Sequence, residues 1–262
     1  MIRGWYTAAA GMMSQMMSTD SLANNMANAS TVGFKSSEVN FKAFPEMLMN
    51  RINGTDKKQI GSMSNGASVA SNYTKFNQGD LNHTGNTLDM AIDGEGFFKV
   101  QSPNGQILYT RDGNFTVNKD GYLSTQTGDL VLSEVSDNRF EPIEMPMDKV
   151  LTVNSDGQIL ADSTTVAKLA ITRFEKPSAL EKMGSNQFKE TPAAKVVPPL
   201  KDPEAKLGYK IQQGALEGSN VNVIKELCNT MTGYRMYEAL QKNIQIHNET
   251  LGKAVNDVGR PA

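Results

Sequence analysis

One cysteine, one tryptophan and two histidines stand in 262 residues, and each scarcity closes a route to function. A single thiol, Cys228, cannot form an intrachain disulfide, and it reads as a small apolar residue on a helix. With only His83 and His247, no HExxH and no CxxC, the chain lacks the ligand spacing of a zinc site. No run approaches the roughly 18 apolar residues of a membrane-spanning helix, so no membrane insertion is expected. The start, Met1-Ile2-Arg3-Gly4-Trp5-Tyr6, leads into a segment interrupted by Ser14, Gln15 and Ser18 rather than a secretory apolar core, and no cleavable signal is expected. Basic clusters of roughly five or six Lys/Arg are missing and the formal net charge is -2, which excludes the electrostatic footprint of a nucleic-acid binder.

Catalytic patterns are equally thin. Gly94-Glu95-Gly96-Phe97-Phe98-Lys99 begins like a dinucleotide fingerprint but places Lys99 where the third glycine belongs, so it reads as a strand-edge turn. Asn118-Lys119-Asp120-Gly121 lacks the first aspartate and the distal glutamate of an EF-hand loop. Asp89, Asp93 and Glu95 would serve a glycosidase only if held across a cleft at about 5 to 9.5 Å; otherwise they are strand and turn residues. The expectation is a protein without catalytic residues, metal or cofactor, and not an enzyme.

Methionine, by contrast, is plentiful at 15 residues, and its flexible thioether suits adaptable packing between helices. Ile2, Trp5, Ala9, Met12, Met16, Thr19, Ala23 and Met26 recur in alternating steps of three and four, the period of a coiled-coil seam. The seam is weak, because alanine and threonine bury little area, so the helix needs a partner. The same period runs through Tyr237, Leu240, Ile244, His247, Leu251, Ala254 and Val258, with an upstream run of Ile224, Leu227, Met231 and Tyr234. The two runs join with a step of three where four is due, a stammer-like discontinuity. The two ends could pack on each other within one chain or against other subunits.

Between the ends, short apolar runs are punctuated by glycine, asparagine and aspartate, which predicts antiparallel strands and tight turns. Candidate turns are Pro103-Asn104-Gly105, Asp112-Gly113, Asp120-Gly121, Thr127-Gly128 and Asp156-Gly157. Residues 116–123 are echoed by residues 152–159, each reading as a hairpin whose Asp-Gly supplies positive φ. Residues 50–72 are rich in Gly, Ser and Asn and read as an extended connector, and four prolines between Thr191 and Pro203 forbid helix there.

Three blocks resemble the signature of flagellar rod and hook proteins. The first joins Tyr6-Thr7-Ala8-Ala9-Ala10-Gly11-Met12 to residues 22–35, which run from Leu22 through Asn24, Asn25 and Asn28 to Gly33-Phe34-Lys35. Next comes Thr84 to Phe98 together with Tyr109-Thr110-Arg111-Asp112-Gly113-Asn114-Phe115. Last is Gly214 to Asn222, running on into Tyr234 to Lys242. The resemblance covers about half the chain; Ala29-Ser30 and Asn222 depart from the family pattern.

This resemblance implies an α+β fold: terminal helices forming a coiled-coil-like assembly domain (residues 1–34 and 215–262), a connector (35–72) and a central, mainly antiparallel β domain (73–214). It implies a structural subunit that polymerises helically into the torque-transmitting axial shaft of the basal body. Rod proteins of distal type are the nearest match, with a proximal rod or hook-type subunit as the alternative. An envelope glycosidase or a monomeric binding module is the remote one.

The assembly seam would comprise Trp5, Ala9, Met12, Met16, Ala23, Met26, Ile224, Leu227, Met231, Tyr234, Tyr237, Leu240, Ile244 and Leu251. Asn24, Asn25 and Asn28 would fix subunit register, and Gly33 would end the first helix in a left-handed conformation. The termini would stay disordered until assembly. Expected partners are identical subunits, other rod and hook proteins, the type III export apparatus and envelope ring proteins.

Overall fold

Alanine, methionine, leucine and glutamine favour helix from the second residue onward, and α1 spans Ile2–Ala27, the computed structural model describing residues 2–44, 47–53, 56–63, 66–136, 139–145, 151–161, 164–184, 186–197 and 208–258. The second helix, α2, spans Val223–Val258. Asn222 caps it: its Oδ1 accepts the Lys225 N–H at 3.0 Å and its carbonyl accepts the Glu226 N–H at 3.0 Å. Glu226 adds a negative charge to the positive end of the helix dipole.

The chain divides into two compact units. The first joins both helices to residues 37–74. There β1 (Ser37–Ala43) pairs antiparallel with β4 (Ala67–Thr74), and β2 (Met47–Asn53) with β3 (Asp56–Met63), so the segment is a two-stranded ribbon. Register shifts at Asn40/Phe41 and Met49/Asn50 mark bulges. This corrects the reading of residues 35–72 as a connector. The small polar residues that suggested a loop are tolerated because the ribbon leaves residues such as Asn40, Ser71 and Asn72 exposed.

The second unit comprises residues 28–36 and 75–221. Its strands are β5 (Leu81–His83), β6 (Met90–Gly94), β7 (Phe97–Gln101), β8 (Ile107–Thr110), β9 (Phe115–Val117), β10 (Leu123–Thr125), β11 (Leu130–Ser136) and β12 (Arg139–Pro142). They continue with β13 (Leu151–Val153), β14 (Gln158–Ala161), β15 (Thr164–Lys168), β16 (Ile171–Phe174), β17 (Glu181–Lys182), β18 (Gln187–Lys189), β19 (Val196–Val197), β20 (Tyr209–Gln213) and β21 (Ala215–Glu217). The main sheet runs β17-β18-β8-β7-β11-β10-β9, with β12 on β11 and β16 bridging β7 to β19. Smaller sheets pair β13-β14-β15, β20 with β6, and β21 with β5, and the pairings among the described strands are antiparallel. The α+β class therefore stands.

Alternation along β7 sends its side chains into two cores. Phe98 and Val100 enter an aliphatic cluster with Met90, Ile92, Leu123 and Ile159. Phe97 enters an aromatic cluster with Tyr109, Phe174 and Phe188, whose rings meet edge to face, for example Tyr109 on Phe174 at 4.9 Å.

The echoed turns share one geometry. Asn118 N–H donates to Tyr122 O at 2.9 Å and Gly121 N–H to Asn118 O at 3.1 Å; Asn154 N–H donates to Gln158 O at 2.9 Å and Gly157 N–H to Asn154 O at 3.0 Å. Both glycines sit at φ +84°. Asp112-Gly113 differs from the turn expected there. Gly113 lacks a left-handed φ, and its hydrogen is needed because an added Cβ would lie 1.6 Å from Met90 O. Pro198, Pro199 and Pro203 lie outside the described residues.

Candidate assembly surfaces of the helical unit

The helices pack antiparallel, and glycine sets how close they come. An added Cβ at Gly4 would lie 2.8 Å from His247 Nε2, at Gly11 3.2 Å from Leu240 Cδ1, and at Gly233 2.6 Å from Gln15 Nε2. Gly4 and Gly11, like Gly233, Leu240 and His247, recur at heptad spacing, so the contact is a small-residue seam that apolar periodicity does not reveal. An adjoining face of α1 meets the ribbon: Ser14 Oγ donates to Ala67 O at 3.1 Å, and Gly66 lies against Thr7 and Ala10.

The expected seam splits accordingly. On α1, Trp5, Met12, Thr19 and Met26 are half-buried, whereas Ala9, Met16 and Ala23 are exposed. On α2, Leu240, Ile244, His247, Leu251 and Ala254 are half-buried. Upstream the sheltered stripe continues through Gly233, Thr230 and Glu226, without the expected stammer. Ile224, Leu227, Met231 and Tyr234 lie off that stripe and Tyr237 at its margin, all exposed; Ile224 reaches 75% and Tyr234 59% exposure. Tyr6, Met13 and Met17 add exposed apolar surface on α1. Two sheltered polar atoms, Trp5 Nε1 and Glu226 Oε2, have no hydrogen-bond partner among the described residues.

The asparagines have separate fates. Asn25 is buried and grips the backbone of Ser37: its Nδ2 donates to Ser37 O at 2.8 Å and its Oδ1 accepts the Ser37 N–H at 2.9 Å. Asn24 is exposed, and Asn28 Oδ1 accepts from Thr31 Oγ1 at 3.2 Å. Gly33 does take a left-handed conformation, at φ +67°, but α1 already ends at Ala27. Its role is a close approach instead, since a Cβ would lie 2.5 Å from Asp112 N, and its N–H donates to Glu217 O at 2.7 Å.

Within the second unit, sequence reasoning missed a buried ionic cluster. Glu217 accepts from Lys35 Nζ at 2.6 Å and Arg111 Nη1 at 3.0 Å, with Gly79 N–H at 3.0 Å on the same carboxylate. Lys35 also donates to Asn77 O and Arg111 to Gly94 O, each at 2.8 Å. Burial pulls the Lys35 ammonium below its usual range, against the raising influence of Glu217. Asn220 joins the same region: its Oδ1 accepts the Ser36 N–H and its Nδ2 donates to Lys75 O, both at 2.8 Å. This is an architectural clamp on the segments that enter and leave the β unit.

The chain thus combines two long helices and an antiparallel β body that contains buried polar clamps, with no group of metal-ligating side chains among the described residues. Residues 91–161 match the family described as flagellar hook protein FlgE/F/G D1 domain, and residues 212–257 match the flagellar basal body rod FlgEFG protein C-terminal family. The flagellar basal-body rod protein FlgG of Borreliella burgdorferi is 32% identical, with 98% of each chain covered. That of Agrobacterium fabrum is 33% identical over 95% of this chain and 96% of its own. The rod protein FlgF of Caulobacter vibrioides is 32% identical over 97% of both chains. The chain belongs to the flagellar basal-body rod and hook family. It is a structural subunit of the flagellar rod, located in the basal body, where it assembles with other rod and hook proteins.

Proposed function

We propose that the chain is a rod subunit of distal type that polymerises head to tail, through the exposed apolar surfaces of its terminal helices, into the torque-transmitting shaft. The observation that carries this reading is the run Ile224, Leu227, Met231 and Tyr234, exposed on α2 beside the stripe that packs on α1. The unpartnered Trp5 Nε1 and Glu226 Oε2 are defects of the kind that a neighbouring subunit relieves.

Burying those four side chains is worth about 6–12 kcal/mol at roughly 1.5–3 each. Association costs about 4–15 kcal/mol in lost freedom and ordering. One pairwise contact is therefore near balance, and a helical array in which each copy touches several others is favourable. Heterologous contacts that do not close give such a filament.

Export through the flagellar type III apparatus and contact with envelope ring proteins belong to the same reading and rest on the family resemblance. A proximal rod or hook-type subunit is the second reading and rests on the same family resemblance. The test replaces Ile224, Leu227, Met231 and Tyr234 together with serine. The variant should keep the monomer's melting temperature and fail to form rods seen by electron microscopy. Rods of normal length from this variant would overturn the proposal.

A further inference from the structure

Beyond assembly, the β unit holds a cleft of about 380 Å³ lined by Lys99, Gln106, Ile107, Tyr109, Phe140 and Lys189, together with Glu190. Lys99 stands directly opposite Tyr109 across β7 and β8, where the aromatic cluster gives way to the cleft. It is only 8% exposed, its ammonium lying 3.4 Å from the centre of the Phe140 ring and 5.8 Å from that of Tyr109. Among the described residues, no oxygen acceptor hydrogen-bonds to this ammonium and no carboxylate forms an ion pair with it. Glu190, which lines the same cleft, accepts from Tyr109 Oη at 3.0 Å through its Oε2 and, like Glu134, acts on Lys99 through space without forming an ion pair. A cation–π contact offsets part of the desolvation of a buried ammonium, and an oxygen anion would offset the rest.

We propose that this cleft binds a carboxylate attached to an apolar body, with the carboxylate facing Lys99 and Lys189 and the body lying along Ile107 and Phe140. Glu134, the other carboxylate acting on Lys99, is paired with Lys168 at 3.4 Å, so the two lysines and Glu190 leave one excess positive charge, which suits a monoanion better than phosphate. The volume fits a small ligand or one side chain. A free organic acid and an acidic side chain of a polypeptide share this chemistry.

The test titrates the full-length, 13C,15N-labelled protein with benzoate and, separately, with acetyl-Phe-Glu-Phe-amide, following the lysine Cε resonances by NMR. Saturable shifts at Lys99 and Lys189 with benzoate support a free acid as ligand. Saturation by the peptide alone supports a side-chain source. Lys99→Met should weaken either by at least about tenfold, the scale of one charge-assisted hydrogen bond. Lys189→Gln, a conservative surface change, should weaken it severalfold and serves if Lys99→Met loses its native amide dispersion. The proposal is overturned if neither probe saturates, if both variants bind as the unaltered protein does, or if inorganic phosphate reproduces the benzoate shifts.

Discussion

Lys35 Nζ lies 2.6 Å from Glu217 Oε1, and neither side chain has any exposed surface. Arg111 holds the other oxygen of the same carboxylate at 3.0 Å, so Glu217 is shared by two cations. Replacing it with glutamine leaves both buried without a counter-charge, and Glu217→Gln should cost about 3–5 kcal/mol in urea unfolding. Lys35→Met should cost less, because Glu217 keeps Arg111. Equal losses in the two variants would show that the cluster does not act as a shared carboxylate.

Two glycines separate close approach from backbone conformation. At Gly113 an added Cβ would lie 1.6 Å from Met90 O, whose residue donates its N–H back to Gly113 O at 3.0 Å. Gly105 sits at φ +80° with open space around it. Gly105→Ala should cost about 1–2 kcal/mol, the left-handed penalty alone. Gly113→Ala should exceed about 3 kcal/mol, because β6 must move to admit the methyl group. Denaturation midpoints of the two variants measure the difference.

How legible these features were depends on the range of the interaction. The turns at Gly121 and Gly157 could be read from residues alone, because a local hydrogen-bond pattern demands a left-handed glycine within a few positions of an asparagine. The helices were legible by period, but their contact was not: Gly4, Gly11 and Gly233 mark it by having no side chain, and a search for apolar residues passes over them. The ribbon was hidden because its weakly alternating strands resemble a polar loop. Lys35, Arg111 and Glu217 meet only through tertiary structure, and the one sign of them was that each falls in a segment shared with the flagellar family.

Asp112 carries a pH-dependent consequence. Burial raises its carboxyl above the ordinary aspartate range, outweighing the hydrogen bond it accepts from the Asn114 N–H at 3.0 Å. A raised folded pKa means that the native state binds the proton more readily, so ionised Asp112 penalises stability above the folded pKa. The penalty is relieved as pH falls through that value towards the unfolded one. Asp112→Asn keeps the acceptor and removes the charge. It should stabilise the protein at pH 7, and the advantage in melting temperature should shrink as pH falls towards 4. A constant difference across this range would show that Asp112 titrates normally.

Asn25 tests whether the ribbon is held to α1 at one point. Its amide satisfies both backbone groups of Ser37, the first residue of β1, with bonds of 2.8 and 2.9 Å, and Ser21 Oγ adds a third contact to Ser37 O at 3.2 Å. Asn25→Ala removes two of these in a buried setting and leaves the Ser37 N–H without its acceptor, so the loss should be about 2–3 kcal/mol. Asn25→Asp keeps the acceptor for the N–H but turns the donor into a second oxygen facing Ser37 O, and it should fall between the unaltered protein and alanine only where the carboxyl is protonated, at low pH. Hydrogen exchange at Ser37 and along the pairing from Ser37↔Thr74 to Asn40↔Ser71 reads the effect directly. Faster exchange there, with the strands of the β unit unchanged, would establish Asn25 as the anchor of the ribbon; uniform acceleration throughout the chain would assign it to global stability instead.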